Sequence, residues 1–253
     1  MTRRLALLLE YDGTAFAGSQ LQASARTVQG VLEVAIAKTT QEELRVAFAG
    51  RTDAGVHAEG QVASFVTHSA LDCATLRRAL NAWLPEDVAV RDIVEVGAAF
   101  DPRRTALRRR YRYEIANQGV RPVLDRERAW HVPHALDLDA MAEAAHSVLG
   151  HHDFAAFASR LENEGASTHR HLRRFDVAGS EHRVRCVLEA NAFLPHQVRR
   201  MVGALVEVGK GKLDPAGYYA MLKGAPTSAG PAAPPHGLYL ERVFYPDDLF
   251  GLG

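Results

Sequence analysis

The chain has only two cysteines, Cys73 and Cys186, among 253 residues. Neither stands in a metal-ligand spacing, and one disulfide would add little to a core of this size. A reducing cytoplasm is therefore the expected compartment. Long apolar runs are also missing. No stretch approaches the roughly 20 residues that span a bilayer. The basic start Met1-Thr2-Arg3-Arg4 leads into an apolar run that Glu10 and Asp12 end, so it reads as a first strand rather than a signal peptide. No membrane association is expected. There is no P-loop and no Gly-x-Gly-x-x-Gly after a strand, so no nucleotide cofactor is indicated. A Gly-x-Ser-x-Gly nucleophile elbow is absent too. Twelve histidines supply metal ligands in number but not in spacing. The neighbours His151 and His152 point to opposite sides of a strand, and His169 and His171 lack a third ligand, so no metal site is expected.

Charge of one sign is missing as well: 30 basic residues balance 30 acidic ones. A zero net charge argues against a nucleic-acid partner, but the distribution argues for one. Six of the ten residues from Arg103 to Arg112 are arginine. Arg170, Arg173 and Arg174 form a second cluster, and Arg199, Arg200, Lys210 and Lys212 a third. Any one cluster is ordinary solvated surface. Three, richer in Arg than Lys, lean toward bidentate phosphate contacts.

The composition, 47% hydrophobic and 24% charged, is that of a globular protein with one large or two modest domains. Apolar periodicity predicts a strand over 5–11 and a helix over 28–38 capped by Thr27. Short strands follow at 44–48 and 62–66. A helix over 72–84 carries Leu76, Leu80 and Trp83 on one face, with Cys73 as core rather than nucleophile. Further strands are expected at 88–96 and 107–115, a helix over 138–149 behind Asp137 and ahead of Gly150, and strands at 172–178 and 183–192. A helix ending at Gly209, a short helix over 215–222 and a closing strand over 238–245 complete the chain. Turn composition at 161–168 suggests a mobile loop. This order predicts a mixed α+β fold, with helices on one face of a largely antiparallel sheet. The expected subdomains are 1–105 and 106–253.

Two segments carry candidate chemistry. The stretch Ala49-Gly50-Arg51-Thr52-Asp53-Ala54-Gly55-Val56-His57-Ala58 lies between two strands and is bracketed by glycines. It suits a hairpin turn as well as it suits a site. A carboxylate there, with Arg51 in reach to keep it ionised, could serve as base or nucleophile. In the strand over 107–115, alternation puts Arg109, Tyr111, Tyr113 and Ile115 on one face and Arg108, Arg110, Arg112 and Glu114 on the other. Tyr113 reads as core. A ring flanked by arginines, as at Tyr111, also fits base stacking.

The stretch from Ala49 to Ala58 closely resembles the catalytic motif of the tRNA pseudouridine synthase A (TruA) family. Glu10-Tyr11-Asp12-Gly13-Thr14, Thr27-Val28-Gln29-Gly30, Arg110-Tyr111-Arg112-Tyr113, Asn191-Ala192-Phe193-Leu194 with Val198-Arg199, and His236-Gly237-Leu238-Tyr239-Leu240 resemble further family segments, in order along nearly the whole chain. The resemblance implies the pseudouridine synthase fold: two pseudo-symmetric halves with a central active cleft. It implies an isomerase, an intramolecular transferase that converts uridine to pseudouridine at positions 38, 39 and 40 in the anticodon arm of tRNA. No cofactor and no metal are implied, and the enzyme would be a homodimer. Asp53 would be the nucleophile, with Arg51 paired to it. Tyr111 would pack against the base, Leu238 would line the pocket, and Arg110 and Arg199 would contact substrate. Ser19 stands where a tryptophan often follows Gly18, and Pro195 and Gln197 replace the familiar histidine and methionine. These departures bear on tRNA contact. Two rival readings remain: a tRNA-binding protein without catalysis, and an aspartate-dependent hydrolase of a small anion.

Overall fold

The computed structural model describes residues 2–159, 166–180, 182–225 and 228–251. The elements in chain order are β1 (Arg3–Tyr11), α1 (Val28–Thr40), β2 (Ala47–Phe48), β3 (His57–Thr67), α2 (Cys73–Trp83), β4 (Val88–Val96) and β5 (Arg108–Ala116). There follow β6 (Trp130–His131), α3 (Leu138–Ser147), β7 (Gly150–Asp153), β8 (His169–Ser180), β9 (Arg183–Ala190), α4 (Gln197–Gly209), α5 (Pro215–Ala220) and β10 (Leu238–Phe244). The fold is mixed α+β and mostly antiparallel; the pairing of β5 with β6 is parallel. The chain divides into two compact units, Met1–Leu107 with Leu240–Gly253, and Arg108–Tyr239.

In the first unit β1 lies between β4 and β3, and β10 adjoins β3. Alternation along β1 sends Leu5, Leu7 and Leu9 into a core with Phe65, Val90 and Ile93, and α1 and α2 supply Leu32, Ile36, Leu76 and Leu80 to it. Each such side chain contributes about 1.5–3 kcal/mol on burial. Cys73 packs against this core as a small hydrophobe. Both helices start on side-chain caps: Thr27 Oγ1 accepts from the Gly30 N–H at 3.2 Å, and an Asp72 carboxylate oxygen from the Thr75 N–H at 2.8 Å. Trp83 departs from expectation. It is 54% exposed at the end of α2, with the Lys38 ammonium 4.5 Å from its ring centroid. Leu80, in the same last turn, is still in the core, so only the final residue of the helix stands clear of it.

In the second unit the strand order is β5-β9-β8-β7. Helix α3 packs on β8, α4 and α5, and its Met141, Ala144 and Ala145 are fully buried. Asp137 caps α3 through the Ala140 N–H at 3.0 Å, and Gly150 takes φ +106° just beyond it. The expected loop over 161–168 falls mainly outside the described residues: 161–165 are not described, and 166–168 are.

Strands β6 and β7 were not anticipated, because two to four residues leave no periodicity to read. The first of the two strands flanking the Asp53 loop is shorter than expected and the second is longer. β2 is two residues, while β3 begins at His57, because β1 gives it a partner as far as the Tyr11–Ala58 pair.

Gly60 on β3 marks a close backbone approach. A Cβ there would lie 2.2 Å from the Glu241 carbonyl oxygen of β10. No rotamer relieves a clash with backbone. Gly60→Ala is expected to cost about 2–3 kcal/mol, within the range for overpacking. Urea unfolding of the variant should show a lower midpoint at unchanged slope.

Candidate active site

The Asp53 loop is fixed from below by polar groups that have lost contact with water. Thr52 is 7% exposed, between the exposed Arg51 and the half-buried Asp53. All three of its polar groups are engaged. Its N–H donates to Ser19 Oγ at 2.8 Å, and its carbonyl accepts from the Ser19 N–H at 3.0 Å. Its hydroxyl bonds to the Tyr11 phenol at 2.7 Å. Gln61 donates to the Gly50 carbonyl at 2.8 Å and, at 3.4 Å, to Tyr11 Oη. Ser19, Tyr11 and Gln61 are themselves 1%, 3% and 0% exposed.

After Asp53 the chain turns. The Val56 N–H donates to the Asp53 carbonyl at 3.2 Å, with Gly55 at φ +77°. A glycine two places after the start of such a turn is the type II signature. The bracketing glycines therefore differ: Gly55 adopts positive φ and Gly50 does not. A third glycine matters more than Gly50. Gly18 sits at φ +102°, where a Cβ would lie 2.9 Å from the Thr52 carbonyl oxygen. His57, just after the turn, is buried, with its Nδ1 3.1 Å from the Gly13 backbone nitrogen. Asp12 Oδ1 lies 3.2 Å from the same nitrogen and also accepts from the Thr14 N–H and hydroxyl.

The second unit holds the other candidates. Tyr111 is 9% exposed and meets Phe193 edge to face at 5.2 Å. Tyr113 is core, as expected, and donates to the Pro234 carbonyl at 2.7 Å. Arg109, on the same face, is nearly buried and donates to the Asn191 carbonyl at 2.9 Å. The opposite face is not simply basic. Buried Glu189 binds Arg108 with one oxygen at 2.7 Å and Arg110 with the other at 2.8 Å. Glu114 likewise gathers Arg185 at 2.8 Å and Arg112 at 3.4 Å. In the third cluster Lys210 and Lys212 share Glu207, at 2.9 and 3.4 Å.

Arg199 stands in the first turn of α4, and its Nε donates to the Ala233 carbonyl at 2.8 Å. That helix starts without a side-chain cap, from His196 in a left-handed conformation. Gln197 bends back and accepts the Leu194 N–H at 2.8 Å. Leu238 is buried at the head of β10. Gly237 just before it lies so close to Tyr113 that a Cβ would come within 2.7 Å of the ring.

The structure thus groups Arg51 with Asp53 on one loop, and Arg110, Tyr111, Arg199 and Leu238 within the other unit. Sequence reasoning missed the anchors. Gln61, a polar residue inside an apolar strand, was the available signal, since a buried amide needs partners.

The family model described as tRNA pseudouridine synthase matches residues 8–103 and 144–246. The chain belongs to the tRNA pseudouridine synthase A (TruA) family. Its activity is the isomerisation of uridine to pseudouridine in tRNA through an active-site aspartate. Among its relatives, the tRNA pseudouridine synthase A of Myxococcus xanthus is 45% identical over 247 residues, covering 96% of this chain and 92% of the relative. Those of Methylobacterium nodulans and Xanthobacter autotrophicus are 47% and 46% identical, each over 96% of this chain and over 96% and 99% of their own lengths. Among the described residues no helix is long and apolar enough to cross a membrane.

Burial pushes the Tyr11 phenol up to about 12, against smaller opposing effects of its bonds to Thr52 and Gln61. Burial likewise raises Tyr113 and Tyr218 well above the usual value. A raised folded-state value means that the stabilisation is complete below the unfolded value of 10.0 and is lost as pH climbs toward the folded value. Stability should therefore fall between about pH 10 and 12. A phenolate absorbance titration followed beside circular dichroism should show these three tyrosines ionising only as the fold is lost.

Proposed function

We propose that Asp53 is the nucleophilic aspartate of this tRNA pseudouridine synthase. The supporting observation is its setting: a half-buried carboxylate at the start of a turn, next to a residue whose every polar group is bonded inward. A carboxylate attacking carbon must be ionised and held to one approach, because misplacement by about 1 Å can cost roughly 100-fold in rate. Attack at C1′ of the ribose and attack at C6 of the base both need this. The bond broken, N1–C1′, and the bond made, C5–C1′, lie within one nucleotide, and the C5 proton leaves to solvent. N1 takes up a proton in exchange, and the bond that Asp53 forms to carbon breaks again as product is released, so the atoms balance without redox or an added group.

In this reading Arg51 pairs with Asp53 and helps displace the target from its stack. Tyr111, wedged edge-on against Phe193, packs against the base, and Leu238 lines the pocket. Extracting a base from a stem costs a few kcal/mol. Contacts to phosphates from Arg110 and Arg199 offset that cost. Glu189 does not cancel its cluster: one carboxylate between Arg108 and Arg110 leaves a net positive charge and fixes two guanidinium groups in place. We further propose that the target is the anticodon arm, at positions 38, 39 and 40, and that the enzyme works as a cytoplasmic homodimer. Relatives named as tRNA pseudouridine synthase A support tRNA as the substrate, and the arm, the positions and the homodimer follow from the family resemblance. Hydrolysis of a small anion is the weaker reading, since it leaves several separate arginine clusters without a role.

Asp53→Ala should abolish tritium release from tRNA labelled at C5 of uridine, while tRNA affinity stays within about tenfold, because chemistry is removed and phosphate contacts are not. Release at the wild-type rate would sink the assignment. Arg110→Ala and Arg199→Ala should each weaken tRNA binding and lower the slope of log affinity against log salt by about one. Filter binding across a salt series measures both.

A further inference from the structure

Ser19 is an unusual residue to find buried beside a catalytic loop. It sits in the connection after the short helical turn Gly13–Ala15, outside the motif that carries Asp53, and is 1% exposed. Its two bonds to Thr52 run in opposite senses, main chain to main chain and side chain to main chain. One residue therefore takes both backbone polar groups of Thr52. Ser19 is held in turn, because its own carbonyl accepts from the Gln29 N–H of α1 at 3.0 Å. The Gly18 carbonyl accepts from the Val28 N–H at 3.3 Å, at the start of the same helix. The Asp53 peptide is thereby tied through Ser19 to the first turn of a core helix.

We infer that Ser19 is a positioning residue for this enzyme: through Thr52 it sets the direction from which Asp53 approaches its target carbon, and Tyr11 completes the hold from the other side. The inference rests on Asp53 being the nucleophile. Its physical basis is that the hydroxyl of Ser19 is the acceptor for a buried N–H. Without it, that N–H has no water to turn to, and the peptide must rotate to find a partner. That N–H belongs to the peptide joining Arg51 to Thr52, and turning it changes the φ of Thr52 and with it the direction in which the chain enters Asp53. Binding of tRNA draws on surfaces elsewhere, so the effect should fall on the chemical step and spare affinity. A serine is small enough to leave the helix start and the loop in main-chain contact.

The test uses the full chain and unmodified tRNA labelled at C5, with single-turnover rates and tRNA dissociation constants measured separately. Ser19→Ala should slow the single-turnover rate by about 10- to 100-fold, the range for small misplacements of a reacting group, with the dissociation constant within about threefold. Ser19→Thr, which keeps the acceptor, should recover most of the rate. Tyr11→Phe removes one hydroxyl and keeps the ring, and should slow the same step by about 5- to 20-fold through the same misplacement. It also serves should Ser19→Ala fail to fold, as judged by thermal melting. A folded Ser19→Ala enzyme with a wild-type rate overturns the inference, as does a loss confined to tRNA affinity or, if Ser19→Ala does not fold, a wild-type rate in Tyr11→Phe. Asp53→Ala is run alongside: activity in that variant would overturn the nucleophile assignment, whereas its inactivity with an unaffected Ser19→Ala would overturn the positioning role alone.

Discussion

The Asp53 loop depends on hydrogen bonds made out of contact with water. Thr52 has three polar groups, and Ser19 and Tyr11 satisfy all of them out of solvent. Each such bond contributes only about 0.5–1.5 kcal/mol net to stability. Their importance lies in the asymmetry: a buried donor left unpaired costs the full desolvation of that group. The loop therefore has one arrangement that satisfies it and many that do not. Proximity of three bonds around one residue makes that arrangement stiff, and the residues on either side of Thr52 inherit the stiffness. Arg51 is exposed and Asp53 half-buried, so the pinned residue presents its two charged neighbours rather than burying them.

A second constraint is electrostatic. A neutral chain that handles a polyanion must spend its positive charge locally. The buried carboxylates Glu189 and Glu114 do this on the β5 and β9 strands, each holding more than one arginine. A guanidinium already held by a carboxylate would lose little further freedom to a phosphate, since its orientation is set. This also explains why overall charge misleads. The balance of 30 basic against 30 acidic residues counts these carboxylates as opposing the arginines. In the fold they arrange them.

Much of this was legible in the chain. The caps Thr27 and Asp137 were marked by residue type, the leucines of β1 by their apolar run and the helical faces by period, whereas Asp72, read as the first residue of α2, is its cap. The Asp53 loop stood out because its charged residues interrupt two apolar runs. Other features had no local signal. Trp83 obeys the helical period of α2 and is exposed all the same, because the period says which way a residue points and not whether a partner is there. The return of Leu240–Gly253 to the first unit is a long-range matter. The pairing of Arg108 and Arg110 with Glu189 joins residues about 80 positions apart across a strand register. Ser19 was visible only as a departure from a family pattern, and its bond to Thr52 spans 33 positions.

The turn at Asp53 owes its orientation to residues outside its own motif. The motif can fix its own turn, through Gly55 and the Asp53–Val56 bond, and nothing more. A turn of four residues has no core, so its orientation must come from outside. Here it comes from β1 through Tyr11, from β3 through Gln61, and from the start of α1 through Ser19 and Gly18. Three elements that meet in one hydrophobic core give three directions of restraint, enough to define the position of a small rigid turn in space. The apolar core of the first unit thus reaches Asp53 through a few short polar links. A change in any link would act on Asp53 without touching it.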